Sequence, residues 1–138
     1  MTTTATPQGG YDIPMYNRQG VRISLDEWAL LFGEGRTPAD PTAGYYRVAY
    51  DMIGNVMIST VWRGFDSRVG HWLGGEPLIF ETVINDGCTD HDEVVLRWST
   101  EEQARASHGQ MVERVKTVVS AASFLADLRR IMGEGDER

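Results

Sequence analysis

The 138-residue sequence is poor in residues that form cross-links and membrane anchors: it has one cysteine, Cys88, and no apolar run near 20 residues. One cysteine cannot form an internal disulfide, and a helix needs about 20 apolar residues to span a bilayer. The N-terminus shows no charged segment followed by an apolar one, the pattern of a secretory signal. We therefore expect a cytoplasmic protein with no membrane partner.

Positive charge is also scarce. Thirteen basic residues stand against 20 acidic ones, which gives a net charge of −7, and Lys116 is the only lysine. Sequence-independent binding to nucleic-acid phosphates depends on clustered Lys and Arg, and the sequence contains no such cluster. We therefore expect no nucleic-acid partner.

The sequence predicts a four-stranded antiparallel sheet. Four consecutive segments alternate apolar and other residues with the period of two that is typical of a strand, at 46–50, 55–62, 77–84 and 94–98. No helix separates neighbouring segments, and Gly54-Asn55 suits a two-residue hairpin turn, so the strands are expected to form a meander. On this alternation the core face carries Val56, Ile58, Thr60, Trp62, Leu78, Phe80, Thr82 and Ile84.

Two helices flank the predicted sheet. Ser24, three residues before Glu27, forms a capping box that begins a short helix ending near Gly33. A second capping box begins a proline-free helix that runs to about Met132, in one of two registers, Ser99 with Glu102 or Thr100 with Gln103. The predicted fold class is therefore α+β, a four-stranded antiparallel meander packed by a long C-terminal helix and a short N-terminal helix.

The long helix carries one predicted apolar stripe, through Met111, Val112, Val115, Val118, Val119, Ala122, Leu125, Leu128 and Ile131. A helix of this length would span about 50 Å, more than the diameter of a small domain. It therefore either breaks near residues 120–123 or projects beyond the sheet. For a projecting end we predict a partner helix, most simply a second copy of the chain. The predicted organisation is a flexible leader at 1–10, one domain at 11–132 that includes this end at 120–132, and a polar tail at 133–138.

The 14 residues from Arg63 to Glu76 predict a binding loop between the second and third strands. Hairpin loops usually have two to five residues, and longer ones are commonly functional. Aromatic and arginine side chains supply most of the energy at protein interfaces. The candidate binding residues are Arg63, Phe65, Asp66, Arg68, His71 and Trp72 in the loop, and Leu125 and Leu128 on the helical end. In the alternative interpretation, Phe65 and Trp72 fold back over the edge of the sheet.

Residues with metal-binding spacing are few. Cys88 and His91 lie three apart, but a structural zinc site needs four ligands, so we predict no metal and no cofactor. His108 on the long helix is expected to pack against the sheet or to hydrogen-bond to it.

One set of side chains suits a small hydrolase-like enzyme. Glu81 lies among apolar residues of the third strand, and Asp66 and His71 are expected near the mouth of the sheet. More commonly, such a glutamate pairs with an arginine of the neighbouring strand, here Arg97.

Several separated blocks resemble a group of small proteins encoded by actinobacteria and their bacteriophages. The blocks are Met15–Gly20, Ile23–Trp28, Ser59–Asp66, Pro77–Val83, Arg97–Glu102 and Ser107-His108, within about residues 15–115. The resemblance implies a shared fold and origin but no activity. It also implies histidine after Asp66 and glycine before His108, where this chain has Ser67 and Ser107.

These observations favour a small phage-associated accessory protein that acts by binding another protein, in the host cytoplasm if phage-encoded. It would be a host-directed modulator or a component of a particle, and it would bind through the loop at 63–76 or through the helical end. The alternative is the small enzyme built on Glu81, Asp66 and His71.

Overall fold

The fold comes from a computed structural model that describes residues 13–68, 75–87 and 93–136, with the backbone alone at 134–136. Its elements in chain order are β1 (Met15–Tyr16), β2 (Arg22–Ile23), α1 (Leu25–Gly33), β3 (Arg47–Ile53), β4 (Val56–Trp62), β5 (Phe80–Asn85), β6 (Val94–Trp98) and α2 (Glu101–Asp136). The predicted α+β fold is confirmed. Within the described ranges, no helix is long and apolar enough to cross a lipid bilayer.

The main sheet is the predicted antiparallel meander, in the order β3-β4-β5-β6. Ile53 pairs with Val56 across the turn, and Gly54 adopts a φ of 58°, which a residue with a side chain rarely takes. Thr60 pairs with Thr82 in the centre of the sheet. The short hairpin of β1 and β2 forms a separate two-stranded sheet.

The core lies between the sheet and α2. Ile58, Trp62 and Phe80 are buried as the alternation predicts, together with Thr60 and Thr82. Ala104 of α2 is also fully buried. From the other end of the chain, Trp28, Leu31 and Phe32 of α1 pack against the same cluster.

The predicted alternation is wrong before β5. Ile79, expected opposite the core, is 1% exposed, whereas Leu78 is only half-buried. The strand begins at Phe80 rather than at Pro77 because two loop contacts replace the ladder there. The Leu78 amide donates to the Asp66 carboxylate at 3.0 Å, and the Ile79 carbonyl accepts from the Arg63 amide at 2.7 Å.

Both helices begin at hydroxyl caps. The Ser24 hydroxyl accepts from the Glu27 amide at 3.1 Å, as predicted. For α2 the structure selects the second of the two registers, because the Thr100 hydroxyl accepts from the Gln103 amide at 3.2 Å. Satisfying these first-turn amides stabilises each helix start by about 1 kcal/mol.

α2 is one continuous helix of 36 residues, about 54 Å long, with no break at 120–123. Its contact with the sheet ends at Val119, which lies beside the Gly54 turn. Each residue from Ser120 to Gly133 is exposed. Of the two predicted alternatives, the end therefore projects beyond the sheet.

The end of α2 does not continue the face that packs on the sheet, so the single predicted stripe is wrong. Val119 is half-buried, but the adjacent Val118 is 66% exposed. At about 100° per residue, the apolar side chains beyond Val118 centre about 140° away from the sheet-facing side. Along the sheet-facing side the sequence becomes small or polar, with Ser123, Ala126 and Arg130.

Candidate functional site

A chain of hydrogen bonds, buried at its centre and exposed at Asp51, joins α2 to all four strands of the main sheet. The Thr60 hydroxyl lies 2.7 Å from the Thr82 hydroxyl and 2.7 Å from His108 Nδ1. His108 Nε2 lies 2.7 Å from Asp51 Oδ2, and the Trp98 indole donates to the Thr82 hydroxyl at 3.1 Å. Each of β3, β4, β5 and β6 thus contributes one residue, and His108 is the contribution of α2.

The carboxylate end of this chain sets the direction of the bonds around a neutral imidazole. A carboxylate only accepts, so His108 donates from Nε2 to Asp51 and accepts at Nδ1. Thr60 then gives its one proton to His108 Nδ1 and accepts from Thr82, which accepts from the Trp98 indole. This direction assigns the imidazole proton to Nε2. It also confirms the predicted hydrogen-bonding role of His108.

The same chain has the order carboxylate, imidazole, hydroxyl that activates a nucleophile in many hydrolases. Thr60, however, is fully buried beneath α2, and His108 is 4% exposed. A nucleophile must contact its substrate, and Thr60 already accepts a hydrogen bond from Thr82. The arrangement therefore serves to hold α2 in register on the sheet.

A second built region is the base of the loop, at Gly64. Its carbonyl accepts from the Tyr16 amide at 2.7 Å, and its amide donates to the Ile79 carbonyl at 3.2 Å. Gly64 has a φ of 80°, and an added Cβ would lie 2.5 Å from the Trp28 ring. The Trp28 indole in turn donates to the Arg63 carbonyl at 2.8 Å. The start of the loop is therefore fixed by α1 and β1.

Asp66 anchors the next turn of the loop rather than facing solvent. It is 7% exposed, and its carboxylate accepts from the Arg68 guanidinium, the Arg68 amide and the Leu78 amide. Burial by itself would raise the pKa of Asp66, but the hydrogen bonds from Arg68 and Leu78 outweigh it and lower the pKa to about 2. This side chain is occupied within the protein.

Asp66→Asn should lower the free energy of unfolding by about 1–3 kcal/mol at pH 7, because it leaves a hydrogen-bonded site without its charged acceptor. The native pKa is below the unfolded value, so the unfolded state binds more protons. The contribution of Asp66 is therefore full above about pH 5 and is lost as the pH falls towards 2. Urea unfolding of Asp66→Asn and of the original protein should give free energies of unfolding whose difference shrinks as the pH falls from about 5 towards 2.

The matched control is Asp40→Asn, because Asp40 lies in an exposed turn and its carboxylate accepts from the amide and hydroxyl of Thr42 within that turn. We expect a smaller effect there. A difference between Asp66→Asn and the original protein that is the same at pH 7 and pH 2.5 would contradict the proposed role.

Among the remaining candidate binding residues of the loop, Phe65 belongs to the described part of the chain. Phe65 is half-buried, with its ring edge-on to Trp28 at 6.0 Å and the Arg63 guanidinium 5.2 Å from its centroid. Phe65 thus takes the folded-back position of the alternative interpretation. His71 and Trp72 lie outside the described residues.

Glu81 and Asp66 do not lie in one site, and each carboxylate is paired with an arginine. Glu81 is on the face of the sheet opposite α2, 3.4 Å from Arg63 and 3.6 Å from Arg97, which confirms the predicted cross-strand pair. Asp66 borders a cavity of about 90 Å³ that Glu81 does not line. His71, the third member of this set, is outside the described residues, as are Cys88 and His91.

A larger cavity, of about 310 Å³, lies at the start of α2 between Arg18, Pro77 and Glu101. Burial would raise the pKa of Glu101, but hydrogen bonds from Arg18 and Arg105 lower it. Arg18 also donates to the Tyr45 carbonyl at 2.9 Å. These charges are therefore paired within the protein. Among the described residues, no group of three or more His, Cys, Asp or Glu is placed to hold a metal ion.

The projecting end of α2 carries six of the exposed large apolar side chains in the described part of the chain. Leu125 and Leu128, both predicted binding residues, are 50% and 38% exposed. They share one side of the helix with four further exposed side chains, Val118, Phe124, Ile131 and Met132. We call residues 118–132 the projecting end.

Comparison with known proteins finds no matching family, no matching curated protein and no matching solved structure.

Proposed function

We propose that this chain is a non-enzymatic accessory protein that acts by binding another polypeptide through its projecting end. The observation that carries the proposal is the row of large apolar side chains, 38–68% exposed, on a helix that has left its own sheet. Large contiguous apolar patches on a folded protein are typical of interaction sites. An amphipathic helix of this kind is recognised by another helix or by an apolar groove.

The alternative binding surface, the loop at 63–76, receives less support from its described residues. Asp66 is buried and bonded to Arg68, Phe65 packs on Trp28, and Gly64 is held between two chain segments. Side chains that are already satisfied within the protein gain little from a partner. The projecting end has no such internal contacts to replace.

The resemblance to small actinobacterial and bacteriophage proteins supports a bacterial setting for this binding. The proposed protein is then phage-associated, and its role is that of a host-directed modulator or a component of a particle. Both roles need a surface for protein binding and neither needs a catalytic set.

The test is affinity capture of tagged protein from actinobacterial cells that also express the untagged chain. We expect the original protein to enrich at least one polypeptide and Leu125→Glu/Leu128→Glu to lose it. The matched control, Ser123→Glu/Ala126→Glu, adds the same charge at the same three-residue spacing on the opposite side of the helix and should retain it. Equal capture by all three proteins, or by none, would overturn the proposal.

A further inference from the structure

We infer that the polypeptide covering the projecting end is a second copy of this chain, paired with the first in an antiparallel two-helix coil. The inference rests on the proposed function, since it names the partner at the same surface. Its basis is the spacing of the apolar residues, the absence of charged residues from the helix positions that would face a partner between 118 and 132, and the length of helix that lies beyond the sheet.

The spacing is that of a coiled coil. The residues that alternate at three and four along the projecting end are Val118, Ala121, Leu125, Leu128 and Met132. Over these two heptads the residues take the a and d positions, which form a stripe suited to packing against another helix. Phe124 and Ile131 take the flanking g positions and widen the stripe.

An antiparallel register makes this stripe complementary to itself. With Leu125 placed opposite Leu128 of the second copy, Ala121 lies opposite Met132 of the second copy, so a small residue meets a large one in each outer layer. A parallel pair would instead set Ala121 against Ala121 and leave a void. Well-packed cores alternate large and small residues across facing positions.

Charge allows two copies to meet in this register. The a, d and g positions from 118 to 132 carry no charged residue, and Arg129 is the one charged residue at an e position. In the antiparallel arrangement, Arg129 faces Ala122 of the second copy. The two helix dipoles also run in opposite directions, which is the favourable arrangement.

The length of the projecting end fits the pair without a clash. In this register Gly135 of the second copy reaches the level of Val118, one residue before the sheet contact ends at Val119. The overlap therefore uses the whole projecting end. Because the stripe lies about 140° from the sheet-facing side, the second helix packs on the side of α2 that is turned away from the sheet.

The buried area is at the lower limit for a stable dimer. Six exposed apolar side chains offer on the order of 600 Å² per copy, or about 1,200 Å² for the pair, against about 1,200–2,000 Å² in standard interfaces. We therefore expect dissociation in the micromolar range, so that oligomeric state depends on protein concentration.

The first test is sedimentation velocity on the full-length purified protein from about 1 to 200 µM. We expect the mass to rise from that of one chain, 15.4 kDa, towards twice this value. Leu125→Glu/Leu128→Glu should weaken association at least about 100-fold, because it would bury unpaired carboxylates. Ser123→Glu/Ala126→Glu should behave as the original protein. A monomer at every concentration would overturn the inference.

The second test determines the orientation by disulfide cross-linking in a Cys88→Ser background. Ala121→Cys and Met132→Cys should form a disulfide-linked dimer when mixed and none when oxidised separately, since in the antiparallel pair the two copies of position 121 lie about 16 Å apart along the axis. Cross-linking of Ala121→Cys with itself would overturn the antiparallel register.

The two proposals fail in different ways. A monomeric original protein whose capture of a cellular polypeptide still depends on Leu125 and Leu128 would overturn self-pairing and leave the proposed function standing. Capture of every polypeptide, the untagged chain included, that none of the variants alters would overturn the proposed function and self-pairing together.

Discussion

Gly64→Ala should lower the free energy of unfolding by about 3 kcal/mol, because among the described glycines an added Cβ would make its closest contact here. Domains of this size have a total stability of about 5–15 kcal/mol, so the variant should melt roughly 10 °C lower. Thermal unfolding followed by circular dichroism measures this shift.

Two physical effects combine at this position. Gly64 has a φ of 80°, where a side chain costs about 1–2 kcal/mol. The new Cβ would also stand 2.5 Å from the Trp28 ring and 2.8 Å from the Trp62 ring. Both rings are held in place, because the Trp28 indole donates to the Arg63 carbonyl and the Trp62 indole donates to the Tyr16 carbonyl. Neither can move without breaking a hydrogen bond.

The matched control is Gly20→Ala, because Gly20 has the same φ of 80° but no atom within 4 Å of an added Cβ. It isolates the backbone cost, and we expect it to lose only about 1 kcal/mol. Equal losses in the two variants would show that Trp28 and Trp62 yield freely and that the loop base is not held as described.

Thr60→Val should lower the free energy of unfolding by about 2–4 kcal/mol while keeping the shape of the side chain. The substitution leaves His108 Nδ1 without its donor and the Thr82 hydroxyl without its acceptor, both beneath α2. Among the described residues, no buried side-chain polar atom lacks a partner in the original protein. Each newly unpaired buried group costs about 1–3 kcal/mol.

Thr117→Val is the control for this substitution, because Thr117 is an exposed residue of α2 and its hydroxyl donates only to the Glu113 carbonyl of its own helix. We expect a change below about 0.5 kcal/mol there. In nitrogen-15 spectra, the His108 ring of the original protein should show the Nε2-protonated tautomer. An Nδ1-protonated ring would reverse the assigned direction of the chain and contradict the account.

The sequence was sufficient for the features that depend on near neighbours along the chain. Alternation with a period of two identifies the strands, and Gly54-Asn55 identifies the tight turn between two of them. Ser24 and Thr100 mark helix starts because their hydroxyls bond amides three residues on. The alternation failed at Leu78 and Ile79 because the chain there leaves the ladder to bond with the loop.

Of the candidate binding residues predicted from the sequence, some are exposed and others are buried in the structure. Leu125 and Leu128 were identified from helical spacing and lie on the open stripe. The rotation of that stripe was also present in the sequence, since the adjacent Val118 and Val119 cannot face the same side of a helix. A charged loop residue such as Asp66 suggests a binding role, because the sequence carries no information about the distant Leu78 amide from which it accepts.

The sequence by itself determined the strand order, the helix starts and the apolar face that each element offers, because periodicity and capping act within a few residues. Only the tertiary structure decided which faces meet. The contacts of Trp28 with Arg63 and of Asp51 and Thr60 with His108 join residues 35 to 57 positions apart. Periodicity states that such a side chain turns inward but carries no information about its partner, since that depends on how the elements pack in three dimensions.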